Sequence, residues 1–266
     1  MREQIVDRPT VDSGAKWFVV VNPISGSGKG LDDFPLISKL LRDNNIRCEA
    51  VFTEHKCHAT ELTVSAITSG YRHIIVVGGD GTLHEVVNGL FIQNVVEPHE
   101  VTVAVIAVGT GNDWVRHVGI PHDYKKAIDI ITKGRVYQQD IIRARYRTPQ
   151  GESERVVANI AGIGLDAEVI KAVEADYERG RKGRTTYIKC LLQTVFRHRP
   201  QPFRITIDGI ESDYPKMFTA AVGNNRFNGG GLEQLPCALS DDGLAEVMIL
   251  RELSLGMVPR ALWLLL

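Results

Sequence analysis

Cysteine, one-sided charge and long apolar runs are all scarce in this sequence of 266 residues. Four cysteines, Cys48, Cys57, Cys190 and Cys237, are scattered with no Cys-x-x-Cys pair. That excludes a disulfide scaffold or a zinc ribbon and fits a reduced, cytoplasmic setting. Cys57 with His55 and His58 raises the question of zinc, but no second ligand pair accompanies them, so ordinary helix-start residues are expected there. No N-terminal apolar stretch reads as a secretory signal. Lys and Arg total 31 against 32 Asp and Glu, a formal net charge of -1, which gives no electrostatic case for nucleic acid as a partner. No apolar run approaches the roughly 20 residues that cross a bilayer, so a lipid partner would have to be met from the membrane surface. The stretch 258–266 (VPRALWLLL) reads as an interrupted helix rather than an anchor.

What is present is enough apolar sequence, 44%, to bury a sizeable core, and two domains are preferred for this length. Apolar strands are expected at 17–21, 48–53, 73–77 and 102–107, separated by segments of helical periodicity. Strands alternating with helices favour right-handed βαβ units and a parallel sheet. A helix over 123–133 closes at Gly134. The pattern then turns to β-rich segments at 136–147, 155–163, 203–208, 217–222 and 244–250, which suggest an antiparallel sheet or sandwich. The fold class is therefore α/β: a Rossmann-like N-terminal domain with a parallel sheet, and a β-rich, antiparallel, sandwich-like C-terminal domain. The expected division is a flexible N-terminus over 1–15, a nucleotide-binding domain over 16–140 and a β-rich lipid-binding domain over 141–266. Residues 166–198 are helix-like and carry Arg179, Arg181, Lys182 and Arg184, either a solvated loop or a contact with anionic membrane.

Three Gly-rich turns follow apolar strands. Val76-Val77-Gly78-Gly79-Asp80-Gly81-Thr82-Leu83-His84-Glu85 sets a carboxylate between glycines at a strand-to-helix junction, where a polyphosphate meets no Cβ and the helix offers unpaired N–H groups. Asp80 also has a plain reading, as an N-cap ahead of Thr82. The other two turns are Asn22-Pro23-Ile24-Ser25-Gly26-Ser27-Gly28 and Gly109-Thr110-Gly111-Asn112-Asp113. In an open α/β sheet such turns lie beyond the carboxyl ends of the strands, so all three are expected at one crevice. Gly28-Lys29 is not a Walker A loop, because Pro23 holds the first Gly position and Gly30 the Ser/Thr position. Arg116 lies at i,i+3 from Asp113 and either pairs with it or reaches a phosphate.

These turns, in this order and together with 159–167 (NIAGIGLDA), resemble the diacylglycerol kinase catalytic-domain family, especially its soluble bacterial lipid kinases, which are related to sphingosine kinases. The resemblance spans roughly 16–250. It implies ATP as phosphoryl donor and Mg²⁺ as its cation. Asn22, Pro23, Ser25, Gly26, Thr53, Gly79, Asp80, Gly81, Thr82, Leu83, His84, Glu85, Thr110 and Asn112 would form the nucleotide site, with Asp80 and Asp113 as catalytic and metal-binding carboxylates. His84 stands where many relatives have Asn, and Thr53 equally suits an ordinary strand end. In the second domain, Asp242 with the carbonyls of Leu239 and Leu244 would hold a structural Mg²⁺, although Asp242-Gly243 also makes a β-turn unaided. The family's proposed general base, in a late Asp-Gly-Glu segment, is not found. The chain stops at Leu266, which is expected to be a truncation, and Asp208-Gly209-Ile210-Glu211 lies in the wrong block to replace it.

The resemblance thus implies transfer of the ATP γ-phosphoryl group to the hydroxyl of diacylglycerol or a similar lipid alcohol, at the bilayer surface, by a peripheral protein; a homodimer is left open. An NAD kinase-like enzyme is the same-class alternative. A catalytically idle nucleotide-binding regulatory protein is the other.

Overall fold

The computed structural model describes residues 14–181 and 184–251. The expected stretch 1–13, Lys182, and the apolar stretch 258–266 lie outside the described residues. The chain divides into two compact units between Val157 and Ala158.

The first unit is built on four parallel strands, β1 (Lys16–Val21), β2 (Arg47–Phe52), β3 (His73–Gly78) and β4 (Thr102–Ala107), in the order β2-β1-β3-β4. All four fall where the apolar runs place them. The central strands are near-continuous Val and Ile, as a sheet covered on both faces requires: Val19, Val20, Val21 and Ile74 to Val77 are all fully buried. Among the described residues six α-helices accompany them: α1 (Lys29–Asp32), α2 (Phe34–Asp43), α3 (His58–Thr68), α4 (Asp80–Ile92), α5 (Asp113–Val118) and α6 (Tyr124–Lys133). One face of the sheet, with Val19, Val21, Ile75, Val77 and Ile106, packs on Ile37 and Leu41 of α2 and Ile128 of α6. Each such side chain contributes roughly 1.5–3 kcal/mol when fully buried. The order 2-1-3-4 matters for function. The chain leaves β1 to one side and returns on the other, so a crevice opens beyond the carboxyl ends of β1 and β3.

The α6 helix begins at Asp123, whose carboxylate accepts from the Lys126 N–H at 2.9 Å, and stops at Gly134 in the left-handed region. The expected strand over 136–147 begins only at Ile142: β5 (Ile142–Thr148) pairs with β6 (Gly151–Val157) as an antiparallel hairpin. Asn88 of α4 ties this hairpin to the first unit. Its Oδ1 accepts from the Val156 N–H and its Nδ2 donates to the Val156 carbonyl, both at 3.1 Å, as a neighbouring strand would. The run over 155–163 is therefore not one strand but the end of β6 and the start of the second unit.

In the second unit, β7 (Ile160–Gly164) and β13 (Glu246–Leu250) flank β10 (Thr219–Gly223) in an antiparallel sheet. Two further hairpins, β8 (Gln201–Ile207) with β9 (Ile210–Met217) and β11 (Phe227–Asn228) with β12 (Leu232–Glu233), complete its β structure among the described residues. Helices α7 (Leu165–Glu178) and α8 (Arg184–Arg197) fill 166–198, with Leu165, Val169 and Val173 clustering with Cys190, Val195 and Phe218. The β9 strand was not expected, because its sequence is polar and contains Pro215. Asp208 and Gly209, with φ of 49° and 81°, form the turn that creates it. Of the basic run, Arg179 and Arg181 both pair with Asp176, at 3.5 and 3.6 Å.

Replacing Asn88 with Ala leaves a strand N–H and carbonyl unsatisfied and is expected to destabilise the first unit by about 1–3 kcal/mol, read as a lowered urea midpoint. An unchanged midpoint would mean that the hairpin stands without it.

Candidate active site

The three Gly-rich turns touch one another. The Asn22 side chain donates from Nδ2 to Thr82 Oγ1 at 2.9 Å, and the Asn22 N–H donates to the Val77 carbonyl at 2.9 Å. Gly78 makes room for this, since a Cβ there would stand 2.6 Å from Thr82 Oγ1. A Cβ on Gly26 would stand 1.9 Å from the Val108 carbonyl oxygen, and one on Gly109 would stand 2.6 Å from Gly79 Cα. Glycine at 26 is required twice over, because its φ is +60°. Ser27 and Gly28 also have positive φ, 64° and 104°. Ser25 lies within reach of the same point, its Oγ 3.7 Å from a Cβ built on Gly79.

Asp80 is the first residue of α4, yet its carboxylate does not cap its own helix. It caps α5: Oδ2 accepts from the Asp113 N–H at 3.0 Å and Oδ1 from the Trp114 N–H at 2.9 Å. Two acidic residues at adjoining helix N-termini are thereby held together, where the helix dipoles favour negative charge. The Asp113 side chain is buried, with Arg116 Nε 4.0 Å from its Oδ1. Asn112, in the left-handed region at φ 53°, donates from Nδ2 to the Gly109 carbonyl at 2.6 Å. Its Oδ1 is buried without a hydrogen-bond partner, beside Gly79 and Gly109. Thr110 is exposed at the rim. Thr53 donates its N–H to the Val21 carbonyl at 2.8 Å, which sets it beside the start of the Asn22 turn. Pro23 accepts from the Leu31 N–H at 3.2 Å and closes the turn into α1.

The other residues of the α4 segment have different surroundings. Leu83 is core. Glu85 caps α3, its carboxylate accepting from the Cys57 N–H at 3.0 Å and the Ala59 N–H at 3.2 Å. His84 is half-buried beneath Arg155, and burial first, then the Arg155 charge, holds its imidazole below the ordinary value of 6.5, with Glu85 opposing. Two residues that the sequence did not flag support the site: Asn88, and Gln139, which accepts from the Trp114 indole N–H at 2.7 Å. Only the i,i+4 spacing of His84 and Asn88 hinted at either.

Elsewhere, Asp242 lies in an exposed turn, where Oδ1 accepts from the Leu244 N–H at 3.0 Å; Leu239 and Leu244 are exposed. His55, His58 and Glu61 bring ligand atoms within 4.8 Å of one another, with Glu61 rather than Cys57 as the third group. The two rings are stacked, 4.4 Å between centroids, and His58 Nδ1 accepts from the Glu54 N–H. That leaves the proton of a neutral His58 ring on Nε2, the wrong tautomer for a metal there.

Residues 16–144 match the family model of the diacylglycerol kinase catalytic domain, and 159–265 match the YegS C-terminal NAD kinase beta sandwich-like domain. Together the two matches liken the chain to the diacylglycerol kinase catalytic-domain family. It is similar to a diacylglycerol kinase of Mycobacterium tuberculosis (strain ATCC 25618 / H37Rv), 29% identical over 229 residues, 86% of this chain and 71% of that protein. It is also similar to the crystal structure of a diacylglycerol kinase from Bacillus anthracis str. Sterne, with a TM-score of 0.67 and 25% identity, covering 94% of this chain and 77% of that one. The parallel sheet and antiparallel second unit agree with both matches. The match to a kinase family implies ATP as the phosphoryl donor, and no described helix is long and apolar enough to cross a membrane.

Because folding lowers the His84 pKa, the unfolded chain protonates first on acidification. Stability is therefore full above about pH 6.5 and is lost as the pH falls from there through the lower folded value. Thermal melts across pH 5–8 should show this slope reduced in His84→Asn; an identical slope would mean that His84 titrates alike in both states.

Proposed function

We propose that this chain is an ATP-dependent lipid kinase that moves the γ-phosphoryl group of ATP to the hydroxyl of diacylglycerol or a similar lipid alcohol at the membrane surface. The observation that carries the proposal is the Asp80 carboxylate joining the second and third Gly-rich turns at the switch point of the sheet. In this reading Asn22, Ser25, Gly26 and the N-terminus of α4 at Gly81 and Thr82 receive phosphate oxygens through N–H and hydroxyl groups, with no Cβ in the way. In the same reading the exposed Thr110, the partly buried Thr53 and the buried Asn112 serve the rest of the nucleotide. Asp80 and Asp113 would hold Mg²⁺, a hard cation suited to carboxylates and phosphates, which supplies neutralisation of the charge that develops on the transferred group. The bond from the γ-phosphorus to the ADP oxygen breaks, the bond to the lipid oxygen forms, ADP departs and the hydroxyl proton passes to solvent water. The turns themselves contribute positioning and fixed N–H dipoles, the main means of catalysis for this chemistry. The first unit is assigned to the nucleotide and the second to the lipid.

Incubation with MgATP and dispersed diacylglycerol, sphingoid base or NAD decides the acceptor. Equal amounts of ADP and phosphorylated lipid are expected. Phosphorylated NAD would favour the NAD kinase reading, for which the sandwich-like match of the second unit is the motive. ATP binding without any acceptor phosphorylated would favour an idle regulatory protein.

Two substitutions separate folding from chemistry. Asp80→Ala is expected to abolish turnover and also to cost about 1–3 kcal/mol, since it uncaps α5; full activity would remove Asp80 from the site. A Cβ at Gly81 meets nothing within 4 Å, so Gly81→Ala should keep or slightly raise the melting temperature while raising KM for ATP about tenfold. An unchanged KM would show that no phosphate approaches this glycine.

A further inference from the structure

Asn225 is fully buried, at 0% exposure, and neither its Nδ2 nor its Oδ1 has a hydrogen-bond partner. The Oδ1 of Asn159 is likewise buried and unpartnered. A buried polar group without a hydrogen-bond partner is costly, and native proteins keep few such groups without a water or ligand to meet them. Both residues belong to the second unit and lie at one end of its sheet. The ladder pairs Ile160 with Gly223, so Asn159 and Asn224 follow opposite each other, and the Asn224 N–H donates to the Asn159 carbonyl at 3.3 Å. Asn225 is the next residue.

A buried apolar cluster adjoins them, with Ile160 and Met248 packed against it and only partly buried. A Cβ on Gly223 would stand 2.7 Å from the Asn159 carbonyl oxygen, 2.8 Å from Ile160 Cγ1 and 3.0 Å from Leu235 Cδ1. Leu235 and Ile160 cluster with Ala221, Ala238 and Met248. A carboxamide offers one donor group and one acceptor side by side, the pairing that a hydroxyl satisfies in full and a bare anion or cation only by half. A hydroxyl carried on an apolar body matches the whole arrangement.

We propose that the carboxamides of Asn159 and Asn225 bind the hydroxyl-bearing head of the lipid acceptor, with the partly buried Ile160 and Met248 against its apolar part. The proposal rests on the lipid-kinase reading and adds to it the residues of the second unit that recognise the alcohol.

The test is steady-state kinetics of Asn225→Ala and Asn159→Ala with dioctanoylglycerol and MgATP, together with their melting temperatures. Expected is a KM for dioctanoylglycerol raised about tenfold or more, with KM for ATP unchanged within about twofold and a melting temperature equal to or above that of the parent chain. A lowered melting temperature with an unchanged lipid KM in both variants would mean that the carboxamides hold a structural water, and would overturn the proposal. Should Asn225→Ala fail to fold, the same comparison in Asn159→Ala decides. If the unaltered chain turns over dioctanoylglycerol and neither variant changes its KM, only the carboxamide assignment falls. If the unaltered chain phosphorylates no lipid, the lipid-kinase reading falls and takes this assignment with it.

Discussion

The carboxylate of Asp80 holds together the turns beyond the carboxyl ends of the parallel strands. It opens one helix and caps the next, taking the N–H groups of Asp113 and Trp114 at 3.0 and 2.9 Å. A charge at that point is favourable because two helix N-termini meet there, and it fixes the β3 turn against the β4 turn. The β1 turn is fastened to the same place through Asn22 and Thr82. Glycines at 26, 78 and 109 let these segments approach to distances that any Cβ would forbid. Preorganised donors of this kind cost no reorganisation when a polyphosphate arrives, which is why a rigid rim suits phosphoryl transfer.

Much of this was legible in the sequence, and for a physical reason. A parallel strand buried on both faces must be a short apolar run, so the four strands of the first sheet stood out within a residue or so of their ends. The turns after them carried glycines that serve no purpose inside a helix. The partners of those turns were harder to see. The plain reading of Asp80 was a cap for its own helix, and its carboxylate caps a helix 33 residues away. Glu85 sat within the stretch expected to bind phosphate, and its carboxylate caps α3. Both satisfy an amide that lies far off in sequence, and local spacing holds no information about such pairs.

The second unit was less readable because its strands are short and mixed with polar residues. The segment 155–163 is continuously β-prone, and nothing in its composition marks the step from β6 to β7 at Ala158. Asn88 reveals it, since a carboxamide on α4 completes the hairpin edge at Val156. The Asp208-Gly209 turn similarly makes a strand from a polar stretch. Hairpins of this kind depend on turn chemistry more than on hydrophobic pattern.

A crystal structure with Mg²⁺ and a non-hydrolysable ATP analogue tests the account most directly. It should show the triphosphate along the backbone of Gly26 to Gly28, Gly79 to Thr82 and Gly109 to Asn112, with the cation bound by Asp80 or Asp113 directly or through water. A nucleotide bound elsewhere, with these turns empty and unchanged, would contradict it.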